Sequence, residues 1–298
     1  ILWDMTSCVK GRFAPGHAQL HVDTVWQTRD CLLTWQSSGL LHPVADFSDL
    51  LTAARSKLGD ALVVGDCNGR LRLHRFPCPS PDSRPRLYHG HSLGVSKVCF
   101  SYEDRHLMSS GAKDQAIFVW HHLIIPGPEE TDAIIDQMIA NRKQNAPAMD
   151  SKSVSLEVLD AVPQYLSAMV TPTSWNAAEA RQELPANFEL NMEYLHGFRG
   201  AGRNQCIKKI GEDKILFQAA MVLIILDLNN RSQRFFRKHE HDVTCFAIHP
   251  GGEMVASADS GNSGKVFIWN VNSMETVSVV STLAKSSPCA LCFAKAEG

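Results

Sequence analysis

The sequence lacks a surplus of charge of either sign: 29 Lys and Arg stand against 31 Asp and Glu. A dedicated nucleic-acid binder carries a basic surplus, so this balance argues against that class. Long apolar runs are also missing. The longest is Ala219–Leu226, "AAMVLIIL", which is strand length and far too short to cross a bilayer. No basic-then-apolar leader opens the chain, so no secretory signal is expected. The chain opens on Ile1 rather than Met, and a longer parent polypeptide is expected. Metal spacing is absent too. The nine cysteines are odd in number and scattered, which fits free thiols in a reducing compartment. Their one Cys-x-x-Cys pair, Cys289 and Cys292, has no second pair nearby, whereas a zinc site needs about four ligands.

Two glycine-rich stretches fall short of nucleotide-binding loops. "GNSGK", Gly261–Lys265, lacks the leading glycine of a phosphate loop, and Val266 stands where that loop has its Ser or Thr. "GFRGAG", Gly197–Gly202, follows no long strand of a βαβ unit. No catalytic residue, metal ligand or cofactor is expected, and the chain reads as a non-enzyme.

What the sequence does contain is an internal repeat. Gly90–Trp120 overlays Lys238–Trp269: His91 and His239 each lead by four residues a valine, Val95 and Val243, and "AIFVW" falls on "KVFIW". From His to Trp the spacing is 29 residues in one copy and 30 in the other. Within each copy apolar residues alternate with polar ones over short runs, the period of half-buried strands. Turn formers separate the runs, at Glu103-Asp104, Gly111 and Gly251-Gly252. A four-strand unit of about 40 residues, led by His and closed by Trp, is the signature of a WD-repeat blade in an all-β propeller. Such a blade is held by a buried chain of His, strand Ser, turn Asp and Trp. The candidates are His91, Ser110, Asp114 and Trp120 in the first copy, and His239 and Trp269 in the second. There Ala258 stands in place of the serine and Ser263 in place of the aspartate. His239 is thereby structural rather than a metal ligand, since "HEH" lacks the i, i+4 histidine spacing of a zinc helix. His241 and His249 read as loop residues.

Further pieces follow the same pattern. Ile1–Asp4 reads as the last strand of a blade, Ala61–Phe76 as strand, turn and strand, His21–Gln36 as two short strands, and the last residues as the start of a further blade. Residues 123–187 break it. This segment holds nine acids and four bases, a net −5, and reads as a linker. Within it a helix is predicted near 128–144, with acids at its start, bases at its end and an apolar stripe of Ile134, Ile135, Met138 and Ile139. Beyond the linker, Arg199–Lys238 carries nine bases and three acids, a net +6.

Phe188–Cys206, "FELNMEYLHGFRGAGRNQC", resembles the hydrophobic motif (HELP) that opens the propeller unit of the echinoderm microtubule-associated protein-like family. The matching residues include Tyr194, Gly197, Phe198, Arg199, Gly200, Arg203 and Asn204, with Tyr194 and Phe198 expected in a core between propellers. His196 departs from the pattern. Gly69–Phe100 and "GAKDQAIFVW" are similar to the last blades of the same unit. The resemblance implies WD-repeat blades from two tandem units: 1–122 ends one, 123–187 is the linker, and 188–298 begins the next. The remainder of a longer chain would complete both. It also implies a cytoplasmic, cytoskeletal protein that binds tubulin, with cytoskeletal or axonemal partners and a place in the cilium or flagellum. Tubulin is acidic, so Lys208, Lys209, Arg231, Arg234, Arg237 and Lys238 are the residues expected to face it. A general WD-repeat adaptor without tubulin contact is the other reading; neither nucleic acid nor membrane is expected as a partner.

Overall fold

The structure is a computed structural model. It describes residues 3–4, 12–13, 23, 32, 34–41, 49–80, 83–124, 171–175, 188–198, 206–261, 265–281 and 287–294. The stretch expected as a helix near 128–144 lies outside them, as do Arg199, Gly200, Arg203, Asn204 and Ser263.

Short β strands of alternating or wholly apolar pattern dominate the described chain. Strands β1 (Trp3–Asp4) and β2 (Arg12–Phe13) pair with each other. After a 3-10 turn at Trp35–Leu41 come four antiparallel sheets of four strands each. The first is β3 (Leu50–Arg55), β4 (Ala61–Asp66), β5 (Leu71–Arg75) and β6 (Arg86–Tyr88). The second contains β7 (Val95–Phe100), β8 (His106–Gly111), β9 (Ile117–Ile124) and β10 (Phe188–His196). The third is β11 (Ile207–Ile210), β12 (Lys214–Ala219), β13 (Val222–Asp227) and β14 (Gln233–Phe236). The fourth is β15 (Val243–Ile248), β16 (Met254–Asp259), β17 (Lys265–Asn270) and β18 (Thr276–Ser281). Each sheet is a meander in which neighbours in space are neighbours in sequence order. This is the blade architecture expected from the period-two pattern.

Two of the shorter pieces differ from their expected roles. Trp35 and Gln36 lie in the 3-10 turn and not in a strand. Val277–Ser281 does not begin a new blade; it is the outer strand of the fourth, paired with β17. Residues 287–294 then run back along that blade, with Leu291 and Phe293 packed beside Ala256, Ala258 and Val266.

The strands on either side of the segment expected to separate two units pair with each other in one sheet. Ile124 pairs with Phe188, and β10 continues antiparallel along β9 to the His196–Ile117 pair. The chain therefore leaves the second blade after its third strand and returns, 63 residues later, to supply the fourth. Such a pairing is non-local, and periodicity within a strand cannot reveal it.

The outer edge of β10 is also closed. The Leu190 N–H donates to the Tyr88 hydroxyl at 3.0 Å. Further along, the Gln233 side-chain amide accepts from Leu195 N at 2.8 Å and donates to Leu195 O at 3.0 Å, as a further strand would. These contacts join the first, second and third blades.

The apolar faces form two main cores. One gathers Ala61, Val63, Leu71 and Leu73 of the first blade, Val98, Leu107, Phe118 and Trp120 of the second, Leu190 and Leu195 of β10, and Val222 and Ile224 of the third. The other joins Leu216, Leu223, Ile225 and Phe236 of the third blade to Val243, Phe246, Val255 and Trp269 of the fourth. Full burial of each large apolar side chain contributes roughly 1.5–3 kcal/mol, so these two cores carry most of the cohesion between blades.

Candidate functional site

The repeat places one buried polar chain in each of two blades. In the second blade the Trp120 indole N–H donates to Ser109 Oγ at 2.9 Å, and Ser109 Oγ lies 2.8 Å from His91 Nε2. His91 Nδ1 in turn lies 2.7 Å from Asp114 Oδ2. In the fourth blade Trp269 donates to Ser257 Oγ at 3.1 Å, Ser257 lies 2.8 Å from His239 Nε2, and His239 Nδ1 lies 3.2 Å from Asp259 Oδ2.

Donor accounting fixes the direction of each chain. An indole N–H can only donate, so the serine oxygen accepts from it; with a neutral imidazole the serine hydroxyl donates to histidine Nε2. Nδ1–H then donates to the carboxylate. Burial pushes the His239 pKa down, against the opposing pull of Asp259, which favours this neutral form.

The serine differs from the expected one. Ser110 is not in the chain; its hydroxyl meets Ser96 Oγ at 2.9 Å. Nor is the fourth blade missing its serine and aspartate: Ser257 and Asp259 fill those roles, not Ala258 and Ser263. The reason is strand alternation. Leu107 and Ser109 are buried on one face of β8, which leaves Ser110 on the other. The two sheets keep one register: Phe118 faces Ser109 and Trp120 faces Leu107, as Phe267 faces Ser257 and Trp269 faces Val255. Gly111 is required beside this chain, because a Cβ there would collide with the Asp114 carboxylate.

Among the described residues, the first blade has no such chain. In its place buried Asp66 accepts from Arg70 Nε at 2.7 Å and from Arg72 Nη2 at 3.2 Å, and its other oxygen caps the turn at Asn68 N and Arg70 N. His74, buried beside Arg72, is held near pKa 4 by burial first and by that guanidinium second.

The six bases expected to face a partner do not form one surface. Lys208 Nζ donates to Phe246 O at 2.9 Å, and Arg234 donates to Asn272 O and Val271 O at 2.8 and 3.0 Å; both tie the third blade to the fourth. Arg237 Nη2 donates to His89 O at 3.1 Å, and its guanidinium carbon lies 5.4 Å from the Trp120 ring centre. Lys209, Arg231 and Lys238 are exposed. Strand β14 runs from the Asp227 end of the third blade to the Leu223 end. Arg231 precedes it and Lys238 follows it, so the two cations sit at opposite ends of the blade. Lys209 is at the Arg231 end, close to Lys214.

Along Phe188–Phe198 the buried residues are Phe188, Leu190 and Leu195. Tyr194 is only half-buried, its ring tilted against that of His196 with centres 4.6 Å apart, and Phe198 is 36 % exposed. Neither lies in a core. Gly197 has φ +84° and lies against the Gln115 carbonyl, a place no larger residue would fit.

His239 is buried, whereas Glu240 and His241 are exposed and His249 Nδ1 accepts from Gly251 N in a turn. Among the described residues no three His, Cys, Asp or Glu side chains converge as a metal ion would require.

Four-stranded blades, two of them closed by a buried Trp–Ser–His–Asp chain, define a WD-repeat β-propeller protein. Residues 1–122 match the family model described as "Echinoderm microtubule-associated protein second beta-propeller". Residues 230–270 match the WD domain, G-beta repeat. The chain is 26% identical over 164 residues to echinoderm microtubule-associated protein-like 4 of Xenopus tropicalis, covering 55% of this chain and 17% of that protein. It is 32% identical over 124 residues to echinoderm microtubule-associated protein-like 2 of Rattus norvegicus, covering 40% and 18%. With echinoderm microtubule-associated protein-like 3 of Homo sapiens the figures are 33% over 101 residues, 34% and 11%. The resemblance of the chain to the echinoderm microtubule-associated protein-like family is borne out by these matches. The chain spans less than a fifth of the length of each of these relatives.

Proposed function

We propose that the protein is a non-enzymatic scaffold that associates with microtubules through its propeller surface. The observation that carries this reading is the match of residues 1–122 to a propeller of a microtubule-associated family. The site chemistry agrees with it. The buried histidines, serines and aspartates of two blades are consumed in holding strands together, which leaves rigid surfaces and turns for recognition. Tubulin contact would be made by the exposed cations Lys209 and Arg231 at one end of the third blade, or by Lys238 at the other. The cytoskeleton is the proposed location, and an axonemal role is the finer version of the same proposal.

A second reading, a general adaptor without tubulin contact, is favoured by one observation. Lys208, Arg234 and Arg237 are engaged with backbone carbonyls, so the basic segment offers fewer free cations than its composition suggests. Co-pelleting of the full-length protein with stabilised microtubules separates the two. Binding that weakens with rising salt supports microtubule association. Failure to pellet at low salt leaves the adaptor.

A further inference from the structure

Two turns of neighbouring blades are joined at their tips. Residues 56–60 connect β3 to β4 in the first blade, and residues 101–105 connect β7 to β8 in the second. These turns carry the two most exposed large apolar side chains among the described residues: Leu58 is 76 % exposed and Tyr102 is 83 % exposed. A single exposed apolar residue is ordinary, but two presented together on a fixed frame mark a contact surface.

The frame is fixed by hydrogen bonds beneath it. Ser56, itself buried, donates its hydroxyl to Asp60 Oδ1 at 2.7 Å and accepts from Asp60 N and Ala61 N at 3.2 and 3.0 Å. In the other turn Asp104 N donates to Ser101 O at 3.1 Å, His106 N donates to Ser101 Oγ at 3.1 Å, and His122 Nδ1 donates to Asp104 O at 2.7 Å. Asp104 holds φ +57°, a backbone conformation uncommon for a residue with a Cβ. Its buried carboxylate reaches the neighbouring blade and accepts from Leu58 N at 3.0 Å. That bond ties the two turns together. Beside it Lys57 Nζ lies 3.5 Å from the centre of the Tyr102 ring.

The charges of the two turns differ in what they touch. Asp60 and Asp104 accept hydrogen bonds from the turns themselves, and Glu103 pairs with Arg105 at 3.3 Å. Among the described residues Lys57 has no carboxylate partner, and the Tyr102 hydroxyl has no hydrogen bond. An ammonium carries three donors, so Lys57 keeps N–H groups for a partner while resting on the ring. Tyrosine adds a large, stiff contact area that loses little rotamer freedom on binding. The spot thus combines an unpaired cation, a phenol hydroxyl and bare apolar surface.

We propose that Lys57, Leu58 and Tyr102 form a docking spot for an acidic peptide segment of a partner protein, in which a carboxylate stands next to an apolar side chain. The carboxylate takes the Lys57 ammonium and the Tyr102 hydroxyl, and the apolar side chain covers Leu58. A basic segment is repelled by Lys57, and a segment with acids alone leaves Leu58 bare. This inference does not rest on microtubule association, because the cations proposed for tubulin lie on the third blade and its flanks.

The test is fluorescence anisotropy of the full-length protein with a short labelled peptide alternating Glu with Leu. Saturable binding that weakens with salt is expected. Lys57→Glu should weaken it at least tenfold, and Tyr102→Ala and Leu58→Ser several-fold each. Peptides with Lys in place of Glu, or Ser in place of Leu, should bind at least tenfold more weakly. All three substituted side chains face solvent, so unfolding midpoints should match that of the unsubstituted protein and separate lost docking from lost folding. The proposal is overturned by an absence of saturable binding, by equal binding of the lysine peptide, or by an affinity that the three substitutions leave unmoved.

Discussion

Ser257 stands to His239 as Ser109 stands to His91, with hydroxyl and Nε2 2.8 Å apart in both blades. Two histidines 148 positions apart in the chain are therefore held by the same partner in the same register. Removing that partner strands two buried groups at once, the indole N–H and histidine Nε2. We expect Ser109→Ala to cost about 2–4 kcal/mol in urea unfolding, and Ser110→Ala to stay within about 0.5 kcal/mol. Equal effects at the two positions would contradict the assignment of Ser109 to the chain.

The basic residues should divide by what they touch. Arg234→Ala removes two hydrogen bonds to the turn at Val271 and Asn272 and is expected to lower stability by about 1–3 kcal/mol. Arg231→Ala, at an exposed turn, should leave the unfolding midpoint nearly unchanged. Indistinguishable midpoints would show that Arg234 does not bind the third blade to the fourth.

Charge reversal probes the proposed microtubule contact by face. If the Arg231 end makes it, Lys209→Glu with Arg231→Glu should weaken co-pelleting several-fold, and Lys238→Glu should not. The opposite ranking would move the contact to the other end of the blade. No effect from either would remove the third blade from the interface.

His74 predicts a pH dependence. Its folded pKa is about 4 against 6.5 for a free imidazole. The unfolded chain binds the proton first, so stability falls as pH drops from about 6.5 toward 4 and is flat above that window. Between pH 7 and 5 the loss is about 2 kcal/mol, and His74→Leu should abolish that share of it. Unfolding curves of both proteins at the two pH values decide this; parallel slopes would rule His74 out as the cause.

The thiols should react in order of exposure. Cys78 is buried and its pKa is pushed up to about 12, whereas Cys289 and Cys292 are exposed. Alkylation at pH 8, read by peptide mass, should label the latter pair orders of magnitude faster. Labelling of Cys78 at a comparable rate would mean that the first blade opens readily.

The blades were legible because alternation, His and Trp are all local signals. The serine was displaced by one residue because Ser109 and Ser110 are adjacent, and only the burial of Leu107 and Val98 decides which of them faces inward. Asp259 was missed because it stands at the end of a strand, not in the turn beyond it. The basic cluster looked like one face in sequence. Antiparallel folding sends Arg231 and Lys238 to opposite ends, which composition cannot register. The return of β10 across the insertion was invisible for a related reason: nothing in Phe188–His196 names β9 as its neighbour.

That return has a consequence during synthesis. Ribosomes add roughly 5–20 residues per second, so the 63 residues between β9 and β10 take roughly 3–13 s to appear. Throughout that interval Ile117–Ile124 presents an unpaired strand edge while its own fourth strand does not yet exist. An exposed edge of this kind recruits other strands. The nascent protein must therefore pass through a timed interval of vulnerability, and a ribosome stalled within the insertion would hold it there.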